Sequence, residues 1–565
     1  MTVELDGDSL GVDDVVAVAR HGEAVSIAPA ARETVREARE RVEDVVSAGD
    51  PVYGVTTGFG ELVDQRIPPE RLEELQANLL RSHAAGTGRE LDREEVRAML
   101  LTRLNALLAG YSGVRYEVAE TLAVLLNEGV HPVVPSRGSL GASGDLAPLA
   151  HLALVLVGEG EADVVVDFDS STGEQADGDG ADGDGADGDG ADGDGADGDG
   201  DVAEASTVET RRLPGADALA VAGLEPLSLR AKEGLALING TQLTLGLAAL
   251  FVHDAARLCR AADAAGALTT EVTMGTTASC APAVHDARPH PGSAESARTV
   301  RRLTADSEVV ESHRNCDRVQ DAYSIRCLPQ VHGAVRDAIS HLRDAVEIEL
   351  DSATDNPLVF PREAVADRAS GTDRGAVVSA GNFHGEPLAL PLDYAVGAIT
   401  ELASISERRV DRLLNPTLQE PHLPPFLARD PGVESGLMIA QYTAASLVNE
   451  CRSVGRASTD NVPVSGNQED HVSMSATAAL GARRTLDRAR RVIAIELLCA
   501  VEATEHLDPE LSLGTGTESL RQLVREVVPP LSGDRRLDGD LEAVTSLIAD
   551  GLVEEVVREP AAEFE

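Results

Sequence analysis

Apolar side chains recur at helical spacing along most of this chain, and the helical stretches lengthen toward its C-terminal half. Positions 32–46 and 70–82 carry a helical period, and 94–108 reads as a strongly amphipathic helix. From residue 228 onward the pattern predicts long helices over 235–265, 330–350, 387–414, 435–451 and 472–505. Helices of such length pack side by side, parallel and antiparallel, rather than around a sheet. Polar and glycine-rich segments fall at or between their ends. Residues 53–60 set five β-branched or aromatic residues among three glycines, which predicts a loop. His131-Pro-Val-Val-Pro135 is held extended by its prolines, and valines 164–166 and residues 209–213 read as short strands. The expected fold class is mainly α: a long-helix bundle with a smaller, mixed N-terminal region. The expected divisions are 1–215, 216–525 and a C-terminal helical segment, 526–565.

One stretch breaks every pattern. Residues 176–200 are five tandem Ala-Asp-Gly-Asp-Gly copies, in which glycine entropy and carboxylate repulsion oppose folding and nothing larger than alanine is available to bury. A disordered insertion over about 167–207 is expected. Asp-Gly-Asp spacing can offer oxygens to calcium, but the repeat lacks the apolar position on which calcium β-rolls stack.

Composition changes the picture in three ways. The chain has 48 basic and 96 acidic residues, a net charge of −48, and Lys232 is its one lysine. Such a surface repels nucleic acid and anionic membranes, so neither is an expected partner. A basic partner is one reading; an acidic, lysine-poor composition is also similar to that of proteins adapted to a salt-rich cytoplasm, and we prefer this halophilic reading. Aromatics make up only 2%, with no tryptophan, so the core must be mostly aliphatic. Tyr53, Phe59, Tyr323 and Phe383 instead sit in short Gly-rich or polar motifs, where they suggest a site. Six cysteines form no C-x-x-C pair and read as free thiols of a reducing compartment. No cationic, apolar leader opens the chain and no apolar run looks long enough to span a bilayer, so a cytoplasmic location is expected. His131, His151 and His332 show no metal-binding spacing, and no metal is expected.

The most telling local pattern is Gly138-Ser-Leu-Gly-Ala-Ser-Gly-Asp-Leu-Ala-Pro-Leu-Ala150. At its centre, Ala142-Ser143-Gly144 has the makings of a ring. The unhindered Gly144 amide nitrogen can attack the Ala142 carbonyl if the backbone is bent. Loss of that carbonyl's water, and of the Ser143 hydroxyl as a second water, leaves a 4-methylidene-imidazol-5-one (MIO). No ordinary side chain supplies such an electrophile, and it would stand in for an external cofactor. The alternative is plain: Ser143 N-caps a helix running through Asp145, Leu146, Leu149 and Leu152. Both can hold together.

Further motifs occur in order: Tyr53-Gly-Val-Thr-Thr-Gly-Phe-Gly60, Ser82-His83-Ala-Ala-Gly86, Asn239-Gly-Thr-Gln242, Gln320-Asp-Ala-Tyr-Ser-Ile-Arg326, Gly381-Asn-Phe-His384 and Asn467-Gln-Glu-Asp-His471. With the segment above they resemble the aromatic amino acid ammonia-lyase family, from about residue 52 to the helices after Met474. The resemblance implies a helical homotetramer whose active sites combine residues of three subunits. It also implies an autocatalytic MIO from Ala142, Ser143 and Gly144, and no external cofactor.

The resemblance gives the remaining candidates their roles. Tyr53 matches the catalytic base, which needs a setting that stabilises phenolate; otherwise it is a ring packed under a loop. Arg326 matches the arginine that holds the substrate carboxylate, a task suited to a planar guanidinium. Tyr323, on the same face if this segment is helical, would donate a hydroxyl near the reacting amine or the ring, and Gln320 would orient the carboxylate. Asn239, in a helical pattern, would donate to the imidazolone oxygen or else be a buried amide. Phe383 would pack beside the ring. His83 and Glu469 suit an imidazole substrate, because a phenyl ring would leave both polar groups unpaired. Glu469 also joins the catalytic set as a candidate for proton transfer. The implied reaction is elimination of ammonia from L-histidine to give trans-urocanate, the opening step of histidine breakdown. A tyrosine ammonia-lyase or aminomutase is the second enzymatic reading, and an inactive acidic binding scaffold is the third. Thr354-Asp-Asn-Pro357 reads as a turn near the site.

At about 1 M salt the Debye length is near 3 Å, which screens repulsion among exposed carboxylates. Desalting should therefore lower the melting temperature; equal melting at high and low salt would refute the halophilic reading.

Overall fold

The computed structural model describes residues 2–49, 51–57, 67–165, 209–314, 316–365 and 369–558. Its axis is the helix Gln242–Val272, buried on nearly every face. Around it pack Arg93–Leu108, Leu328–Leu350, Glu386–Leu414 and Ser475–Ala503, with Met438–Arg452 against the last two. The long helices expected from the pattern thus form, and the fold is mainly α with small sheets. The buried positions are Leu, Val, Ile and Ala almost throughout, and Phe251 is the one aromatic among the buried residues described. One hydrophobic cluster runs from Leu5 to Val557.

Two expectations about helices are corrected. The segment Arg93–Leu108 is not amphipathic, since apolar and polar residues alike are buried on most of its faces. Most of its polar residues imitate a solvent face in sequence but find internal partners. Arg97 donates to Val18 O and Leu126 O, and Asn105 donates to Leu350 O while accepting from Gly7 N. The second correction concerns 235–265, which is not one helix. Glu233–Ile238 ends at Asn239, whose backbone is extended (φ −92°, ψ 114°), and the axis helix starts afresh at Gln242. Gly240 between them has φ +146°, a conformation that side chains resist.

The short strands flanking the acidic repeat also form. Glu161–Val165 pairs antiparallel with Thr210–Pro214 and, on its other edge, with Val130–Pro132. The repeat between them, including the expected insertion over 167–207, lies outside the described residues. A further sheet, Leu358–Pro361 with Gly375–Val378 and Ser370–Gly371, was not expected from the pattern. Val359 and Val377 from it join Val42, Val45, Val52 and Val55 in a small second core.

Much of the buried charge is paired. The lone lysine, Lys232, is fully buried and 2.7 Å from Asp355. Arg20, Arg483, Glu94 and Asp254 tie four helical segments together. All six cysteines are free. Glu386–Leu414 passes for a membrane span by length and composition alone, but charged residues interrupt it and half of its most apolar window is buried inside the bundle.

His131 is buried in the strand Val130–Pro132, where its Nε2 faces the Arg97 guanidinium at 3.1 Å. Burial first, and then the charges of Arg97 and Arg93, lower its pKa to about 3 from 6.5. A value lowered on folding makes neutral histidine a stabilising feature that is complete above pH ~6.5 and lost as the pH falls toward 3. Stability should therefore begin to fall below pH ~6.5, ahead of the carboxylate range. His131→Gln should flatten that part of the melting-temperature profile; an unchanged slope would contradict this origin.

Candidate active site

The loop 138–145 enters from the strand Pro135–Arg137 and leaves into the helix Leu146–Leu156. Gly141 and Gly144 have φ near +65° and +72°. Gly144 lies backbone to backbone with Gly240, so that any Cβ at 144 would collide with the Gly240 peptide. Asp145 N donates to Gly240 O at 2.6 Å. The Asp145 carboxylate, fully buried, accepts from Ser139 Oγ (2.7 Å) and from Thr244 N (2.8 Å) in the first turn of the axis helix. Burial raises its pKa, and these hydrogen bonds oppose the rise. On the other flank, Ser473 Oγ and Gly385 N donate to Gly141 O, and Met474 N donates to Leu140 O. The loop is clamped from three directions.

Ser143 is not a helix cap, because the helix begins at Leu146 with Asp145 in the capping position. Its carbonyl oxygen instead accepts from Asn239 Nδ2 at 3.1 Å, and its hydroxyl lies 3.4 Å from Glu469 Oε1. Asn239 makes this contact from the break between helices, and its Oδ1 is buried without a hydrogen-bond partner among the described residues. The carbonyl it touches is the one that becomes the imidazolone oxygen if 142–144 cyclise.

Other candidates gather around this loop. Half-buried Tyr53 stands in a turn whose Gly54 (φ +68°) presses on Leu235 and Pro357. Val52 and Val55 anchor that turn in the second core, while Gly58, Phe59 and Gly60 of the same motif lie outside the described residues. His83 ends the helix Leu72–His83, with Nδ1 2.9 Å from Leu79 O. Three residues on, Gly86 packs against Arg137 and Gly138. Phe383 is half-buried in the turn leading to Gly385, and its neighbour His384 stacks on His471, ring centroids 5.7 Å apart. The turn at 354–357 abuts the site as expected: Gln242 Nε2 donates to Thr354 Oγ1, and Asp355 holds Lys232.

Gln320, Tyr323 and Arg326 are elsewhere. Tyr323–Arg326 form a single helical turn, with the Arg326 guanidinium 4.7 Å from the Tyr323 ring centre. Tyr323 is 71% exposed, and Gln320 is exposed too. Ile325 packs near Gly275, just past the C-terminal end of the axis helix. That helix has 31 residues and Ser143 docks at its other end. At 1.5 Å per residue the separation is about 46 Å. One chain therefore carries two groups of candidate residues at opposite ends of one helix. Asp145, Thr244 and Ser473, which fix the loop, were not singled out from sequence; their only signal was a polar residue inside an otherwise apolar or small-residue run.

The aromatic amino acid lyase pattern matches residues 10–526. The chain belongs to the aromatic amino acid lyase family. The matched span of this lyase includes every site residue named above. A probable histidine ammonia-lyase of Halobacterium salinarum is 60% identical over 98% of this chain and 97% of its own length. A histidine ammonia-lyase of Gloeobacter violaceus is 49% identical over the same shares. Among solved structures, a tyrosine aminomutase from Streptomyces globisporus superposes with a TM-score of 0.85 at 34% identity, covering both chains completely. A histidine ammonia-lyase from Trypanosoma cruzi gives 0.82 at 38% identity, over 99% of this chain and 95% of that one.

Proposed function

We propose that this lyase removes ammonia from L-histidine to give trans-urocanate, using an MIO built from Ala142, Ser143 and Gly144. The observation that carries the reading is the Asn239 amide 3.1 Å from the Ser143 carbonyl, with Glu469 at the Ser143 hydroxyl. The residues fit such a ring. Gly144 is held where only glycine is tolerated, Ser143 has a hydroxyl free of any capping duty, and a donor already faces the oxygen that would gain charge. Once formed, the ring supplies an electrophile that captures the substrate and eases the departure of ammonia.

The chain's own groups do the rest. Arg326 holds the carboxylate through parallel hydrogen bonds, with Gln320 orienting it. Tyr53 takes the β-proton as base. Tyr323 donates toward the amine, Phe383 shields the ring from water, and His83 with Glu469 receives the imidazole. Glu469 shares the proton traffic. Because the half-sites lie about 46 Å apart on one chain, copies of the chain complete each other's sites, in keeping with a homotetramer. Exposed Leu390, Tyr394, Ile439 and Tyr442 supply apolar surface for that assembly. A salt-rich cytoplasm fits the acidic surface and the Halobacterium relative.

The likeness to a tyrosine aminomutase makes tyrosine the rival substrate. Urocanate absorbance should appear with L-histidine, and no product with L-tyrosine or L-phenylalanine; turnover of tyrosine alone would reverse the assignment. Intact mass should fall short of the sequence mass by about 36 Da, the two lost waters. Ser143→Ala should restore the mass of one of those waters at least and abolish turnover; retained turnover would end the ring assignment. Ser143→Ala and Arg326→Ala should each be inactive alone but regain a measurable share of activity when co-expressed. No recovery in mixed oligomers would refute site sharing.

A further inference from the structure

Beneath the loop lies a buried cation that belongs to no ion pair within the site. Arg103 rises from the helix Arg93–Leu108 toward the break between Glu233–Ile238 and Gln242–Val272, and it is fully buried. Its guanidinium donates to Ala236 O, to Asn239 O at 2.8 Å and to Gln242 Oε1 at 2.7 Å. None of these is a carboxylate. The acid that acts on it electrostatically, Asp355, is paired with Lys232.

The arrangement has a clear physical purpose. A helix leaves its last carbonyls without internal partners, and here those carbonyls face the protein interior rather than water. Arg103 satisfies two of them and grips the first residue of the next helix, so it spans the break. Gly240 is pressed so close that a Cβ there would meet Arg103 and Gln242. From the same break Asn239 Nδ2 reaches Ser143 O, and Gly240 O accepts from Asp145 N.

We propose that Arg103 is a positioning residue for the ammonia-lyase site: it clamps the 239–240 break so that the Asn239 amide stays aimed at the Ser143 carbonyl. It acts through Asn239 and touches no substrate. The inference rests on the ring reading of residues 142–144. Burial lowers the Arg103 pKa to about 10, which still leaves the group charged at neutral pH. A lysine has no second arm and holds one acceptor poorly where arginine holds three.

The test compares full-length Arg103→Lys and Arg103→Met with Arg97→Met. Arg97 is equally buried on the same helix, but its donors go to Val18 O and Leu126 O, away from the loop. Arg103→Lys should lower kcat for L-histidine by about 30-fold or more, with KM within about 3-fold. Intact mass should also show slowed or incomplete loss of the two waters. Arg97→Met should melt earlier yet keep kcat per folded chain within about 2-fold. Wild-type kcat and complete water loss in Arg103→Lys would overturn the proposal, as would an equal kcat loss in Arg97→Met. If Arg103→Met fails to fold, the lysine variant and the mass readout decide. Wild-type protein without the mass shortfall would instead strike the ring reading itself.

Discussion

The structure depends on two peptide backbones lying against each other without a side chain between them. Gly144 and Gly240 meet at the N-terminal end of the axis helix, and neither position tolerates a Cβ. This contact brings a surface loop into the base of the bundle. Asp145 then caps the axis helix through Thr244 N, where a carboxylate is favoured by the helix dipole. Asn239 gains its reach to Ser143, and Ser473 and Gly385 close over Gly141 from the opposite flank. A helical bundle alone offers no strained backbone. Here positive φ falls on Gly138, Gly141, Gly144 and Gly240, and on Met474, whose backbone N–H clamps the loop.

The same axis helix sets how far apart the two groups of candidate residues lie. Its length separates the loop from the Tyr323–Arg326 turn by far more than an amino acid can bridge. The buried network Arg409–Glu496, with His332 and Asp263, packs the far end firmly, and Arg409 also donates to Ser324 O. The exposed Tyr323 is therefore carried on a rigid turn.

Much of this was legible in the sequence, and the exceptions share a cause. Long helices with one apolar face, such as 330–350 and 387–414, were readable because periodicity reports burial on one side. Arg93–Leu108 was misread because burial on all sides lets Arg97, Arg103 and Asn105 mimic a wet face. The break at Asn239–Gly240 was missed because apolar residues at helical spacing resume on its far side, and its Asn-Gly turn signal was read as part of a motif rather than as a helix end. The ring reading of Ala142-Ser143-Gly144 could be framed from sequence because the atoms it joins are neighbours in the chain. That Asn239 faces Ser143 was reached only through resemblance, since 96 residues separate them, and the approach of Glu469 to the Ser143 hydroxyl, 326 residues away, was not foreseen. Separation of the two half-sites follows from the three-dimensional path and has no local signature.

Lys232 carries one more implication. It is the sole lysine and is sealed beside Asp355, so the folded chain presents no side-chain amine to its surroundings. Lysine-specific proteases, and amine-directed labels at any side chain, then see only the opened molecule. A single cut between Lys232 and Glu233 counts openings that reach the helix under the loop, which gives this lyase a native clock for its own unfolding.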